Sequence, residues 1–136
     1  MDAEMLKECF AAIEEGNTEY VAQFLQEVGN DRFDDKSNSL LYTAARYGKY
    51  EIVELLLGKG AQVDFEQEDG ETALMAASKE GHEEVVELLL RGGANPNSQR
   101  HDGQTALMFA AQKGQSEVAS ILLESGAIVD MQDKDG

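Results

Sequence analysis

Residues Asp69-Gly70-Glu71-Thr72-Ala73-Leu74-Met75-Ala76-Ala77 return 33 positions later as Asp102-Gly103-Gln104-Thr105-Ala106-Leu107-Met108-Phe109-Ala110, and that echo decides the fold. Laid over one another without a gap, residues 69–101 and 102–134 are identical at 15 of 33 positions, Gly81/Gly114 and Gly93-Ala94/Gly126-Ala127 among them. The frame runs back over 36–68, where Leu41, Ala44, Gly48, Glu51, Leu56, Leu57, Gly60 and Ala61 match residues of 69–101. Farther back, Gly16 precedes Gly48 by 32 residues, and Phe24-Leu25 falls where Leu56-Leu57 falls. A fixed period near 33 is the mark of a stacked array.

Each period reads as turn, helix, glycine, helix. The small-residue run Thr72–Ala77 predicts a helix that stops at Gly81, the residue type that best accepts the left-handed C-terminal conformation. A second helix follows, with Val85, Val86, Leu88, Leu89 and Leu90 in one period and Val118, Ile121, Leu122 and Leu123 in the next, spaced to make one apolar face. Gly93-Ala94 and Gly126-Ala127 end these helices. Asp69-Gly70 and Asp102-Gly103 supply tight turns before Thr72 and Thr105 cap the next helices. The frame predicts helix pairs near 4–15 and 18–28, 39–47 and 50–58, 72–80 and 83–91, and 105–113 and 116–124.

This pattern resembles the ankyrin repeat, whose family motif places Gly-x-Thr-Pro-Leu-His-x-Ala-Ala before a glycine, then a Val/Leu-rich helix, then Gly-Ala. The resemblance covers essentially the whole chain and implies an all-α solenoid of stacked helix-turn-helix units with projecting β-turn fingers. It implies one domain over 1–136: an N-terminal capping repeat over 1–35, then repeats 36–68, 69–101 and 102–134, with 135–136 opening a further turn. First helices and fingers would line a concave face and second helices a convex back. Alanine replaces the family's proline at Ala73 and Ala106, and its histidine becomes Tyr42, Met75 or Met108. That exchange leads us to expect apolar packing where the family has a polar tie between turns. Ser37-Asn38-Ser39 stands where Gly-x-Thr is expected, so the turn there should differ.

A terminal unit of a solenoid needs a polar outer face. Residues 2–33 suit that role: Asp2, Glu4, Lys7, Glu8, Glu14 and Glu15 decorate the first helix, and Met5, Leu6, Phe10 and Ile13 can pack inward. At the other end, Asp135-Gly136 either opens another repeat of a longer array or ends the chain with an imperfect cap. On the second alternative the apolar sides of Phe109, Val118 and Leu122 would lack cover, leaving the last repeat the weakest.

An apolar fraction of 42% gives enough core to offset the entropy of ordering the chain. With no run of eighteen apolar residues and no basic and apolar leader after Met1, the chain is expected to be soluble and not secreted by the usual route. One cysteine, Cys9, makes neither an internal disulfide nor a thiolate metal cage, which fits the reducing cytoplasm or nucleus. The formal charge of −16 disfavours nucleic acid and anionic membrane surfaces as partners.

No residue pattern points to catalysis. Cys9 aligns with Leu41, Leu74 and Leu107, a core position, and is expected to behave as a small buried hydrophobe. His82 opens a second helix and His101 sits in a finger, which is no zinc site, and no cofactor or metal is expected. Glu51, Glu54, Glu83, Glu84, Glu87, Glu117 and Glu124 fall on the second helices and read as a solvated back rather than an acid/base pair. Nucleophile elbow, phosphate loop, Ca²⁺ loop and His-Glu-x-x-His are all missing.

The resemblance implies that partner contacts come from the fingers and from the two residues before each helix-breaking glycine. Position by position these are Asp35, Lys36, Asn38, Arg46 and Tyr47, then Glu68, Asp69, Glu71, Lys79 and Glu80, then His101, Asp102, Gln104, Gln112 and Lys113. Phe65, at the root of a finger, joins them, whereas Phe109 is expected to pack between first helices. The fifteen residues of the first set carry only −2 of the −16, so the acidity serves solubility more than a strongly basic ligand. A local acidic patch at Glu66, Glu68, Asp69 and Glu71 could take a basic side chain. The expected function is a non-catalytic module, monomeric in itself, holding a protein or peptide on its concave face. The alternatives are the recruiting array of a longer multidomain enzyme or adaptor, and a structural spacer without a preferred partner.

Overall fold

The computed structural model describes residues 3–27, 35–130 and 132–133, with side chains from Glu4 to Glu27 and from Ser39 onward. Eight helices and no strand occur among them: α1 Ala3–Glu15, α2 Thr18–Glu27, α3 Asp35–Arg46, α4 Tyr50–Gly58, α5 Ala73–Glu80, α6 Glu83–Arg91, α7 Ala106–Gln112 and α8 Ser116–Glu124. Odd-numbered helices pack on one another in chain order, as do even-numbered ones, and each odd helix packs on the even helix that follows it. The result is a two-layer, all-α stack.

Local chemistry sets the boundaries. Thr72 and Thr105 sit in extended conformation before α5 and α7, and each hydroxyl accepts a hydrogen bond 3.3 Å long, from the Met75 and Met108 N–H respectively. Each satisfies a donor that the helix itself leaves free. At the far end of α5, Gly81 turns left-handed at φ 78°, so that the His82 N–H donates to the Ala77 carbonyl at 3.0 Å and the chain reverses into α6.

Val21, Phe24 and Leu25 of α2, Ile52, Val53 and Leu56 of α4, Val85, Val86 and Leu89 of α6, and Val118 and Leu122 of α8 are buried, whereas Leu88, Leu90 and Ile121 of the face that the spacing predicts are half-buried and Leu123 is exposed. The buried residues meet Cys9, Ala12 and Ile13 of α1, Leu40, Leu41, Ala44 and Ala45 of α3, Ala73, Leu74, Met75 and Ala77 of α5, and Ala106, Phe109 and Ala110 of α7 in one continuous core. Cys9 is fully buried, and that burial pushes its thiol up to about 12. Glu51, Glu54, Glu83, Glu84, Glu87, Glu117 and Glu124 are exposed on the even helices.

Three expectations need correction. Helix α3 begins at Asp35, not near 39, and Ser37 stands where the later repeats have the left-handed turn glycines Gly70 and Gly103. Asp35, Lys36 and Asn38 therefore stand on the first turn of a helix rather than on a finger, and their side chains lie outside the described residues. Second, Phe109, Val118 and Leu122 are buried in the last pair, at 5% exposure or less. The apolar surface left open there belongs to Leu123, Ile128 and Val129. Third, the polar tie between repeats survives the loss of histidine: the Tyr42 hydroxyl donates to Glu71 Oε1 at 3.2 Å.

Candidate protein-interaction face

Fingers connect α4 to α5 and α6 to α7. In the first, the Gln67 N–H donates to the Glu71 carbonyl at 2.9 Å, and the Gly70 N–H to the Gln67 carbonyl at 2.8 Å. Asp69 closes the loop from inside, its Oδ1 accepting the Glu71 N–H at 2.9 Å. The second finger repeats this with Arg100, Gly103, Gln104 and Asp102. The two touch directly, the His101 N–H donating to the Asp69 carbonyl at 2.9 Å. At Gly70, φ is 87° and a Cβ would stand 2.6 Å from the His101 ring, so neighbouring fingers can approach this closely only at a glycine.

Side-chain acceptors tie the roots of the fingers together. Asp64 Oδ1 accepts the Asn95 N–H at 3.0 Å, and 33 residues on Asn97 Oδ1 accepts the Ile128 N–H at 2.8 Å. The positions that open α6 and α8 do the same for the odd layer: His82 Nε2 lies 2.9 Å from the Arg46 carbonyl, and Gln115 Nε2 donates to the Lys79 carbonyl at 3.3 Å. These links make the fingers and odd helices one scaffold.

Three side chains from different elements meet at Glu71, which is only 3% exposed. Lys79 Nζ lies 3.0 Å from Oε1, Arg100 Nη1 3.3 Å from Oε2, and the Tyr42 hydroxyl shares Oε1. Arg100 also grips Asp102 with two further hydrogen bonds, and Lys79 and Arg100 both lie over the Phe109 ring, 4.9 and 4.8 Å from its centroid. The Arg100 guanidinium holds the Asp102 carboxyl down at about 2, and Asp102 in turn raises Arg100 above its ordinary range. Burial first, then the Glu71 charge, pushes the Tyr42 phenol up to about 12.

Of the residues expected to meet a partner, Arg46, Tyr47, Glu68, Asp69, Glu80, His101, Gln112 and Lys113 are exposed, while Phe65, Lys79, Asp102 and Gln104 are half-buried. Glu71 departs from expectation: its carboxylate already holds the basic groups that a partner was expected to bring. Tyr47 stays 39% exposed although its hydroxyl donates to Glu14 Oε1 at 2.7 Å, and the Arg46 guanidinium lies 5.7 Å from its ring. The Glu14 hydrogen bond raises the Tyr47 phenol above its ordinary value. Phe109 packs between first helices as expected, with the two cations as its lid.

Arg100 and Tyr42 escaped the sequence reading as members of this cluster. The internal alignment carries a signal for the Glu71–Lys79 contact alone. Gln104 and Gln112 occupy the positions of Glu71 and Lys79 in the next repeat and bond amide to amide at 3.0 Å, so one contact is written once in charges and once in amides.

Among the described residues no group of three or more His, Cys, Asp or Glu is placed to hold a metal ion, and no helix is long and apolar enough to cross a membrane. On the back, between α6 and α8, lies an open groove of about 400 Å³ lined by residues that include Glu87, Leu90, Ile121 and Glu124.

Comparison with known proteins agrees with this geometry. Residues 9–67 and 49–135 match the family described as ankyrin repeats (three copies), and the chain belongs to that family. Ankyrin repeats serve as protein-interaction modules and are generally non-catalytic. A stretch of 59 residues is 42% identical to the E3 ubiquitin-protein ligase hecd-1 of Caenorhabditis elegans, covering 43% of this chain and 2% of that protein.

Proposed function

We propose that this protein binds a protein or peptide partner across its concave face, centred on α3, α5 and the finger between them. The observation that carries this reading is the contrast between its two surfaces. Even helices present glutamate after glutamate, which distinguishes one register poorly, and solvated charges there contribute little binding energy. Equivalent concave positions instead carry Arg46-Tyr47, Lys79-Glu80 and Gln112-Lys113, mixed chemistry on a rigid frame. With Glu71 closed off, Glu66, Glu68 and Asp69 remain exposed on the central finger, and the partner contributes a basic side chain there. The protein acts as a monomer in the cytoplasm or nucleus, without nucleic acid or membrane.

Partner capture followed by calorimetric titration tests this. Tyr47→Ala, Arg46→Ala and the charge reversals of Glu68 and Asp69 should weaken binding, whereas Glu83→Ala and Glu87→Ala should not. The opposite pattern overturns the reading.

The likeness to a short stretch of a ubiquitin ligase supports a second reading, in which the array recruits substrate for a longer enzyme. Removing residues 1–136 from such a protein would then abolish substrate capture while leaving its self-modification intact; loss of both would count against it.

A further inference from the structure

Glu71 is almost wholly closed to solvent, yet it holds two partly exposed cations, Lys79 and Arg100. Lys79 and Arg100 are 26% and 23% exposed in their side chains, and both sit within 5 Å of the centre of one phenyl ring. Two like charges gathered over one ring repel, and the attraction of the ring quadrupole alone is a weak counterweight. The carboxylate between them turns that repulsion into two charge-assisted contacts. It does so across the stack, since Tyr42 belongs to α3, Lys79 to α5, Arg100 to the base of the next finger and Phe109 to α7.

We propose that Glu71 is the positioning residue of the concave face: it locks Lys79 and Arg100 onto Phe109 and so keeps both cations away from Glu66 and Glu68, leaving those acids open to a partner. This rests on the concave-face reading given above. The molecule contains its own comparison, because at the corresponding place in the next repeat the contact is made by two neutral amides, Gln104 and Gln112. Replacing Glu71 by glutamine keeps the shape of the side chain and removes the charge that both cations share. Lys79 and Arg100, released, then pair with the exposed acids of their own face.

The test has two readouts. In carbon–proton NMR spectra of the wild-type chain, the Lys79 ε-methylene and Arg100 δ-methylene protons should be shifted upfield by the ring. Phe109→Leu should abolish the shifts, Tyr42→Phe should leave them, and Glu71→Gln should abolish them with the helical circular dichroism unchanged. The second readout is titration with a tetrapeptide amide of alternating lysine and arginine, which Glu71→Gln should weaken by about threefold to tenfold, the scale of indirect effects on binding. Should the amide unfold the chain, Glu71→Asp replaces it: partial loss of the shifts supports the proposal and wild-type shifts overturn it. If Glu71→Gln leaves the shifts in place, or moves them without changing peptide affinity while Glu66→Gln/Glu68→Gln does change it, Glu71 is not a positioning residue and the concave-face reading stands. If Glu66→Gln/Glu68→Gln has no effect either, the concave-face reading itself fails.

Discussion

The Lys79 ammonium lies 3.0 Å from a Glu71 carboxylate that is almost wholly closed to solvent. Its partners are less buried than it is, so truncation leaves two cations that water can reach, rather than a stranded buried charge. Glu71→Ala should therefore cost about 1–3 kcal/mol of stability, the value of lost hydrogen bonds to a charged group, and not the larger penalty of a fully buried pair. Gln104→Ala removes the equivalent exposed amide contact and should cost less than about 0.5 kcal/mol. Urea unfolding of both variants gives the comparison; equal losses would show that Glu71 contributes no more than a surface amide.

Gly70 and Gly93 both have positive φ, 87° and 97°, but only Gly70 has a neighbour in the way of a Cβ. Gly93→Ala should cost about 1–2 kcal/mol, the price of left-handed backbone alone. Gly70→Ala adds the clash with His101 and should cost more, with displaced amide resonances at Asp69 and His101 on either side of the finger-to-finger hydrogen bond. Thermal melts and amide spectra of the two variants distinguish backbone strain from the close approach.

Helices, caps and turn glycines were legible because each is specified within a few residues. The odd–even layering followed from the 33-residue echo. What the sequence left hidden is relational. Nothing local marks Arg100 as the partner of Glu71 29 residues before it, or shows that Lys36-Ser37-Asn38 lets α3 run on to Asp35. Exposed Glu68 and buried Glu71 read alike as finger acids. Their difference arises only when the next finger and α7 arrive, because tertiary packing, not residue type, decides which acid is covered.

Stability should fall at both pH extremes for reasons of opposite sign. Asp102 has its carboxyl lowered from 3.8 to about 2 by Arg100, so its contribution is complete above about 4 and is lost as pH falls through 2. Cys9 is raised from 9.0 and Tyr42 from 10.0, each to about 12, so both favour the folded state below pH 9 and lose that contribution as pH rises toward 12. Arg100→Gln should flatten the acid limb and Cys9→Ala the lower part of the alkaline limb in urea titrations across pH. Modification of Cys9 by a thiol reagent at neutral pH should track unfolding, being slow in the native protein and fast in denaturant.

Hydrogen exchange should be faster over 105–124 than over 72–91. The central pair α5/α6 is packed on both sides, by α3 and α4 and by α7 and α8, whereas Leu123 of α8 and Ile128 and Val129 after it stand 46–70% exposed. Stability in such an array is a sum of unit and neighbour terms, so α7/α8, with one described neighbour, opens before the central pair. Equal protection of the two segments would mean that the open surface is covered in solution.

Tyr47 combines an exposed ring with a hydroxyl committed to Glu14, and the two parts can be separated. If the ring is a partner anchor, Tyr47→Ala should reduce affinity by about tenfold or more, as truncated aromatic hot spots do, while Tyr47→Phe should bind nearly as well as the wild type. If the residue matters only by tying α3 to α1, Tyr47→Phe and Glu14→Gln should weaken binding together, through lost order in the first repeat. Arg46→Ala belongs to the same comparison because its guanidinium lies over the ring. Glu83→Ala and Glu87→Ala on the back should change affinity by less than about twofold, the scale of isolated solvated charges. Calorimetric titration of this set, each variant first checked for wild-type circular dichroism, places the partner on the concave face if the Tyr47 and Arg46 truncations dominate, and on the back if the glutamate changes do.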